Sequence, residues 1–235
     1  MVSKWWHRYR QDPDSDWFVD AWLTLMHEIG QFVGRLNRPR QGAIRENPDM
    51  GRLIYSLNVS LDGYVETPDL SLDWAIVDDE LHSWFNDRAR ELDASLYGRR
   101  LYELMAGYWP GAESDPDATG TMREFGRIWL ATPKIVFSKT LDSVDWNSRL
   151  ARGDVGEELE RLKEEFPGDM DVGGPTLASE FIRRGLVDEY QLVIHPVVLG
   201  AGTPFFPSLD SRIGLRQIGT HRFESGAVYI GYAAA

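Results

Sequence analysis

Three short turns in this 235-residue chain carry residue types able to hold phosphate. Gly98-Arg99-Arg100, Ser138-Lys139-Thr140 and Gly173-Gly174-Pro175-Thr176 each combine a small or hydroxyl residue with hydrogen-bond donors. Glycine leaves the backbone N–H open to a close ligand. Pro175 suits a first helical position, because its missing N–H would have no partner there. A helix N-terminus adds free N–H groups and partial positive charge, which makes the third turn an anion site. Ligands of open α/β sheets bind where strand carboxyl ends meet helix N-termini, so three such turns point to a nucleotide with several phosphates. The competing reading is three ordinary turns with solvated Arg and Lys.

Other groups exclude more than they supply. Gly200-Ala201-Gly202 starts like a dinucleotide fingerprint but continues into Thr203-Pro204-Phe205, without the third glycine or a following helix. It is read instead as a close backbone approach at a strand end. His195, mid-strand before Pro196, is read as structural, since no nucleophile is paired with it. The five histidines show no metal-binding spacing, so no metal is expected. Cysteine is absent, which removes thiolate nucleophiles, disulfides and Cys-ligated metals. A formal net charge of −12 argues against nucleic acid and anionic membrane as partners. With no signal segment and no membrane-length apolar run, the expected location is the cytoplasm.

These turns need strands and helices to position them. Strands are expected at 53–59, 94–97, 134–137, 170–172 and 190–199, and helices at 78–92, from Arg99, at 121–130, 153–166 and from Pro175 to about Arg184. The Gly-, Pro- and Asp-rich stretch 107–120 reads as a loop, and 213–221 with 226–232 as a terminal hairpin. Alternating short strands and helices predict an α/β fold with a mostly parallel sheet covered on both faces and an antiparallel C-terminal hairpin. Residues 1–49 form a separate extension. Phe18, Trp22, Leu25, Ile29, Phe32 and Leu36 make one stripe of an amphipathic helix with Asp16 as N-cap, and 37–42 reads as linker. That helix either packs on its own domain, joins two copies or lies on a membrane surface; a further reading starts translation at Met50. The remaining 50–235 is one domain.

Six segments follow one another in a recognisable order. They are 56–64 (Ser-Leu-Asn-Val-Ser-Leu-Asp-Gly-Tyr), 96–103, 134–141, 172–177, 185–189 and 196–202 (Pro-Val-Val-Leu-Gly-Ala-Gly). From Arg52 to Tyr232 the chain resembles the dihydrofolate reductase superfamily, specifically the reductase domain at the C-terminus of bacterial bifunctional riboflavin deaminase-reductases. The resemblance implies a three-layer dihydrofolate-reductase-like fold and an NADPH-dependent reductase of a small heterocycle, such as 5-amino-6-(5-phosphoribosylamino)uracil. It places Gly98, Arg99 and Arg100 at the cofactor phosphates and Ser138 and Lys139 near the adenosine 2′-phosphate. Gly173, Gly174, Pro175, Thr176 and Leu177 would hold the pyrophosphate, and Asp62-Gly63-Tyr64 would form a mobile loop over the nicotinamide.

On the substrate side the candidates are Asp62, Glu80 and His82 for catalysis, with Asn58 and Trp109 as contacts. A homodimer is expected. Two departures stand out. A zinc deaminase half needs cysteines, which this chain lacks. The helix carboxylate used for folate reduction aligns with Leu81, or with His82 when counted back from Gly98. The alternative is therefore a non-catalytic nucleotide-binding or assembly protein on the same fold.

Overall fold

The computed structural model describes residues 51–235; the helix at 17–36 and the linker expected within 1–49 lie outside the described residues. The chain runs β1 (Leu53–Ser60), β2 (Tyr64–Glu66), α1 (Asp79–Arg90), β3 (Ala94–Gly98), α2 (Arg99–Tyr108), a 3-10 turn (Trp109–Ser114) and α3 (Gly120–Ala131). It continues through β4 (Lys134–Phe137), β5 (Ser148–Ala151), α4 (Val155–Glu165), β6 (Met170–Gly173) and α5 (Pro175–Arg183). β7 (Glu189–His195), β8 (Thr203–Pro204), β9 (Leu215–Arg222) and β10 (Val228–Ala234) complete it. Eight strands form one sheet in the order β5-β4-β3-β6-β1-β7-β10-β9, parallel from β5 to β7 and antiparallel at β10 and β9. This is the expected mostly parallel sheet with its terminal hairpin.

Period-two alternation sorts side chains to two unlike faces. Leu53, Tyr55, Leu96, Ile135, Met170, Val172 and Tyr190 point to one face and pack against Leu159 and Leu162 of α4 and Leu177, Phe181 and Ile182 of α5. The opposite face carries two smaller apolar clusters. One joins Leu81, Trp84 and Phe85 of α1 to Val193 and Tyr229. The other joins Tyr97 and Val136 to Tyr102 of α2 and Trp129 of α3. Between them the sheet presents polar residues. The fold is therefore a core on one side and a divided cover on the other.

Helix starts separate into two kinds. The Asp78 carboxylate accepts from Leu81 N at 2.9 Å, Thr119 Oγ1 accepts from Met122 N, and Asp154 accepts from Gly156 N at 2.9 Å, so α1, α3 and α4 are capped by side chains. Gly98 and Gly174 begin α2 and α5 with no side-chain cap. The first N–H groups of those two helices are left for a ligand.

Several boundaries differ from expectation. β7 stops at His195 rather than Leu199, because Pro196 has no N–H to continue the ladder. The stretch 107–120 is largely ordered as the end of α2 and the 3-10 turn. β5 was not expected: Ser-Arg-Leu-Ala has little β-propensity and gains its place only by pairing with β4. Neither was the small β2–β8 sheet. Gly202 makes that sheet possible: with φ at +147°, an added Cβ would lie 2.0 Å from the Glu66 carbonyl oxygen. Gly202→Ala is expected to lower stability by about 2 kcal/mol, since the clash is with backbone. A urea midpoint equal to that of the wild type would refute this.

Candidate active site

The carboxyl ends of β1, β3, β4 and β6 lie on one edge of the sheet because these strands are parallel. A cavity of about 460 Å³ opens there, lined by Asn58, Gly98, Arg99, Arg100, Phe137 and the run Gly173 to Leu177, with Glu66, Leu72 and Trp74 opposite. Gly173 and Gly174 shape its floor. A Cβ at Gly173 would meet Leu101 Cδ2 at 2.5 Å and the Tyr97 ring at 2.9 Å, and Gly174 has φ +86°, where side chains are strained. Two uncapped helix N-termini thus converge on one concave surface. That is a built anion cradle.

Its cations differ in availability. Arg100 forms an ion pair with Glu66, which is buried and also accepts from Thr203 Oγ1 at 2.6 Å. Arg100 thus ties the cavity wall to Glu66 while its half-exposed side chain still lines the cavity. Arg99 is exposed and only 4.0 Å from Glu103, a loose pair that a ligand can displace. Ser138 and Lys139 lie beyond this cavity, on the turn after β4. Ser138 Oγ accepts from Thr140 N and Leu141 N, and Arg152 donates to the carbonyls of Ser138 and Leu141. Arg152 brings a second cation to the Lys139 turn. It escaped sequence reading because it follows β5, the strand that was missed. Thr176 is exposed at the cavity rim, whereas Leu177 is buried and would meet a Cβ at Gly98 at 3.5 Å.

A second cavity of about 730 Å³ runs between α1 and the polar strip of the sheet. His82 and Trp109 line it, with Phe125, Met105, Ser56, Ser95, Asp171 and Gln191. The His82 ring stands edge-on to Trp109 at 6.0 Å and to Phe125 at 5.9 Å, and its Nδ1 is 3.2 Å from Asn86 Oδ1. The two cavities share Leu57, Asn58, Leu101 and Gly173 as walls. Asn58 Oδ1 is 2.9 Å from His195 Nε2, so a neutral His195 with its proton on Nε2 fixes the amide. Burial holds the His195 pKa below its ordinary value, which favours that neutral form. With Oδ1 engaged, Asn58 offers a ligand its N–H donors. His195 is structural, as read from sequence, but it orients a residue on the wall common to both cavities.

The other two catalytic candidates lie apart from both cavities. Asp62 accepts from Ser60 Oγ, Leu199 N and Gly200 N, and the first of these bonds does most to hold its pKa below the usual carboxylate range. It pins one loop to another. Glu80 accepts from Glu224 N at 2.9 Å and stands 3.6 Å from His221, facing the terminal hairpin. Of the two expected positions of the folate-type carboxylate, Leu81 is fully buried in apolar packing and His82 lines the second cavity. Four carboxylates line the second cavity, Glu91, Asp169, Asp171 and Glu189, and of these Asp171, to which the sequence alone assigns no role, sits in the middle of the sheet. Burial, partly offset by a Ser95 hydrogen bond, pushes its pKa up to about 6. The available signal was an Asp alternating with Met170 and Val172 in an otherwise apolar interior strand.

Comparison with known proteins agrees with this architecture. The chain is 38% identical over 182 residues to the uncharacterized protein YyaP of Bacillus subtilis (strain 168), covering 77% of this chain and 94% of that protein. A putative riboflavin biosynthesis protein from Shewanella sp. PV-4 superposes with TM-score 0.64 at 19% identity, over 78% of this chain and 99% of that one. Dihydrofolate reductase from Enterococcus faecalis, solved with NADP(H) and RAB-propyl, superposes with TM-score 0.51 at 18% identity, over 78% and 96% of the two chains. The fold is thus dihydrofolate-reductase-like. Residues 52–229, which hold the uncapped helix starts and both cavities, match the RibD C-terminal domain, and the chain belongs to that family.

Proposed function

We propose that this protein is an NADPH-dependent reductase of a small heterocyclic substrate. The observation that carries this reading is the meeting of two cavities at Asn58 and Gly173, one floored by glycine turns and helix N-termini, the other lined by aromatic rings and polar sheet residues. The residues present fit a dinucleotide. Gly173 and Gly174 let the turn pack against Leu101 and Tyr97 and reach the cavity with no side chain of its own, the α2 and α5 N-termini offer unfilled N–H groups, and Arg99 offers an available cation. Lys139 and Arg152 supply positive charge at the turn suited to a 2′-phosphate.

Bound there, the cofactor would supply hydride, and the chain's own residues would do the rest. Asn58 would donate N–H bonds at the junction, His195 would hold it in orientation, and the rings of His82, Trp109 and Phe125 would exclude water around a flat substrate. A phosphoribosylaminouracil is one substrate compatible with this chemistry. The second reading, nucleotide binding without turnover, draws on neither Leu81 nor His82, the two expected positions of a folate-type carboxylate, being a carboxylate and on Asp62 and Glu80 being absent from the lining of both cavities.

Titrating the full chain with NADPH and NADH, followed by tryptophan fluorescence, tests the cofactor assignment. Arg99→Ala and Lys139→Ala are each expected to weaken NADPH about tenfold, one charge-assisted phosphate contact, with Lys139→Ala sparing NADH. Equal loss of both nucleotides on Lys139→Ala would count against the 2′-phosphate site. Failure of the wild type to bind either nucleotide would end the reductase reading. Oxidation of bound NADPH by pterin, aminouracil, flavin or quinoid acceptors would separate enzyme from binder.

A further inference from the structure

The substrate-side cavity contains an unfilled acceptor. Asp171 pairs across β6 with Ser95 on β3 and Ile54 on β1, which puts it mid-sheet on the face away from the main core. Its Oδ1 is buried and has no hydrogen-bond partner. A buried carboxylate oxygen without a donor is costly, and such groups in native structures call for a specific explanation. The neighbouring carboxylates are already engaged or solvated. Asp169 and Glu189 are ion-paired with Arg52, Glu189 also accepts from Gln191 Nε2 at 2.7 Å, and Glu91 is exposed.

We propose that Asp171 is the substrate-recognition group of this chain, accepting from a flat ligand that carries adjacent N–H donors, an amidine or aminoheterocycle edge, with the ring body directed toward His82 and Trp109. A donor edge fills the empty acceptor, and a planar N–C–N pair matches the two oxygens of a carboxylate. An anionic ligand would add an unpaired charge to a site that already disfavours one. This substrate class rests on the reductase reading only for turnover; binding itself requires no cofactor.

Because burial holds the Asp171 carboxyl protonated up to pH about 6, a cationic ligand must displace that proton below this value. Ser95 and Tyr97 on β3 are its polar neighbours. Arg52 on β1, Glu189 on β7, Asp169 and, from α1, His82, Arg88 and Glu91 share the cavity.

Benzamidine is the probe, titrated into the full-length chain and followed by tryptophan fluorescence, with benzoate as the anionic counterpart. Wild type is expected to bind benzamidine about tenfold more tightly at pH 7 than at pH 5, as linkage to a carboxyl near 6 requires. Asp171→Asn should lose at least tenfold at pH 7 and lose the tenfold difference between pH 7 and pH 5. Ser95→Ala, which removes the bond lowering the Asp171 pKa, should move the binding midpoint to higher pH. Unchanged benzamidine affinity in Asp171→Asn, or benzoate binding more tightly than benzamidine, would overturn the assignment. NADPH affinity, measured in parallel, keeps the two readings distinct. Intact NADPH binding with an indifferent Asp171→Asn overturns the Asp171 site alone, whereas the benzamidine pattern without NADPH binding overturns the reductase reading alone.

Discussion

Gly174→Ala is expected to weaken NADPH binding about 100-fold, close to 3 kcal/mol, while leaving a folded protein. Gly174 has φ +86° at the start of α5, and an added Cβ would stand 3.5 Å from Leu101 Cβ, so there is room for the methyl group. The difficulty is conformational. A side chain in this region costs about 1–3 kcal/mol, and relieving it by rotating the peptide turns the N–H groups of the anion cradle away. Gly185→Ala is the matched control, since it has φ +67° at the other end of the same helix with nothing within 4 Å. Both variants should melt a few degrees lower, and only Gly174→Ala should lose NADPH. Equal effects on nucleotide binding would mean that the diglycine is a structural turn and nothing more.

Asp171→Asn is expected to stabilise the protein at pH 7.5 by about 3 kcal/mol, which for a domain of this size corresponds to roughly 6–12 °C in melting temperature. The folded pKa is raised from 3.8 to about 6 by burial, so between these values the native state holds a proton that the unfolded state has released, and at pH 7.5 it carries the full cost of a buried charge. Stability from this group is fully present below pH 3.8 and is lost as pH rises through about 6. The neutral amide removes that loss. The gain should therefore shrink steadily between pH 6 and pH 4 and disappear below. A melting difference independent of pH would show that Asp171 carries no such penalty. A destabilising carboxylate in the middle of a sheet is what a functional site retains at the expense of stability.

Much of the glycine-turn cavity was legible in the sequence, because it is built from backbone. Positive φ at Gly174, an uncapped helix start at Gly98 and a proline at the first turn of α5 are local requirements, and local requirements leave their mark on residue type. The parallel sheet was legible for a similar reason, since period-two runs alternate with period-3.6 runs along the chain. The substrate side was not. Asp62 and Glu80 were chosen for chemical type, but their oxygens are taken by Leu199, Gly200 and Glu224, more than 130 residues away in each case. The pairing of Arg100 with Glu66, 34 residues away, is likewise set by the tertiary fold.

By itself, then, the sequence determined the layers, the order of turns along the sheet edge and the places where backbone N–H groups stay open. Tertiary structure decided which charges are free and which are paired, that His195 holds Asn58, and that Asp171 lines the second cavity with an unpartnered oxygen. The physical reason is range. Backbone conformation is set within a few residues, whereas the solvation and partners of a side chain depend on strands that meet only when the sheet has formed.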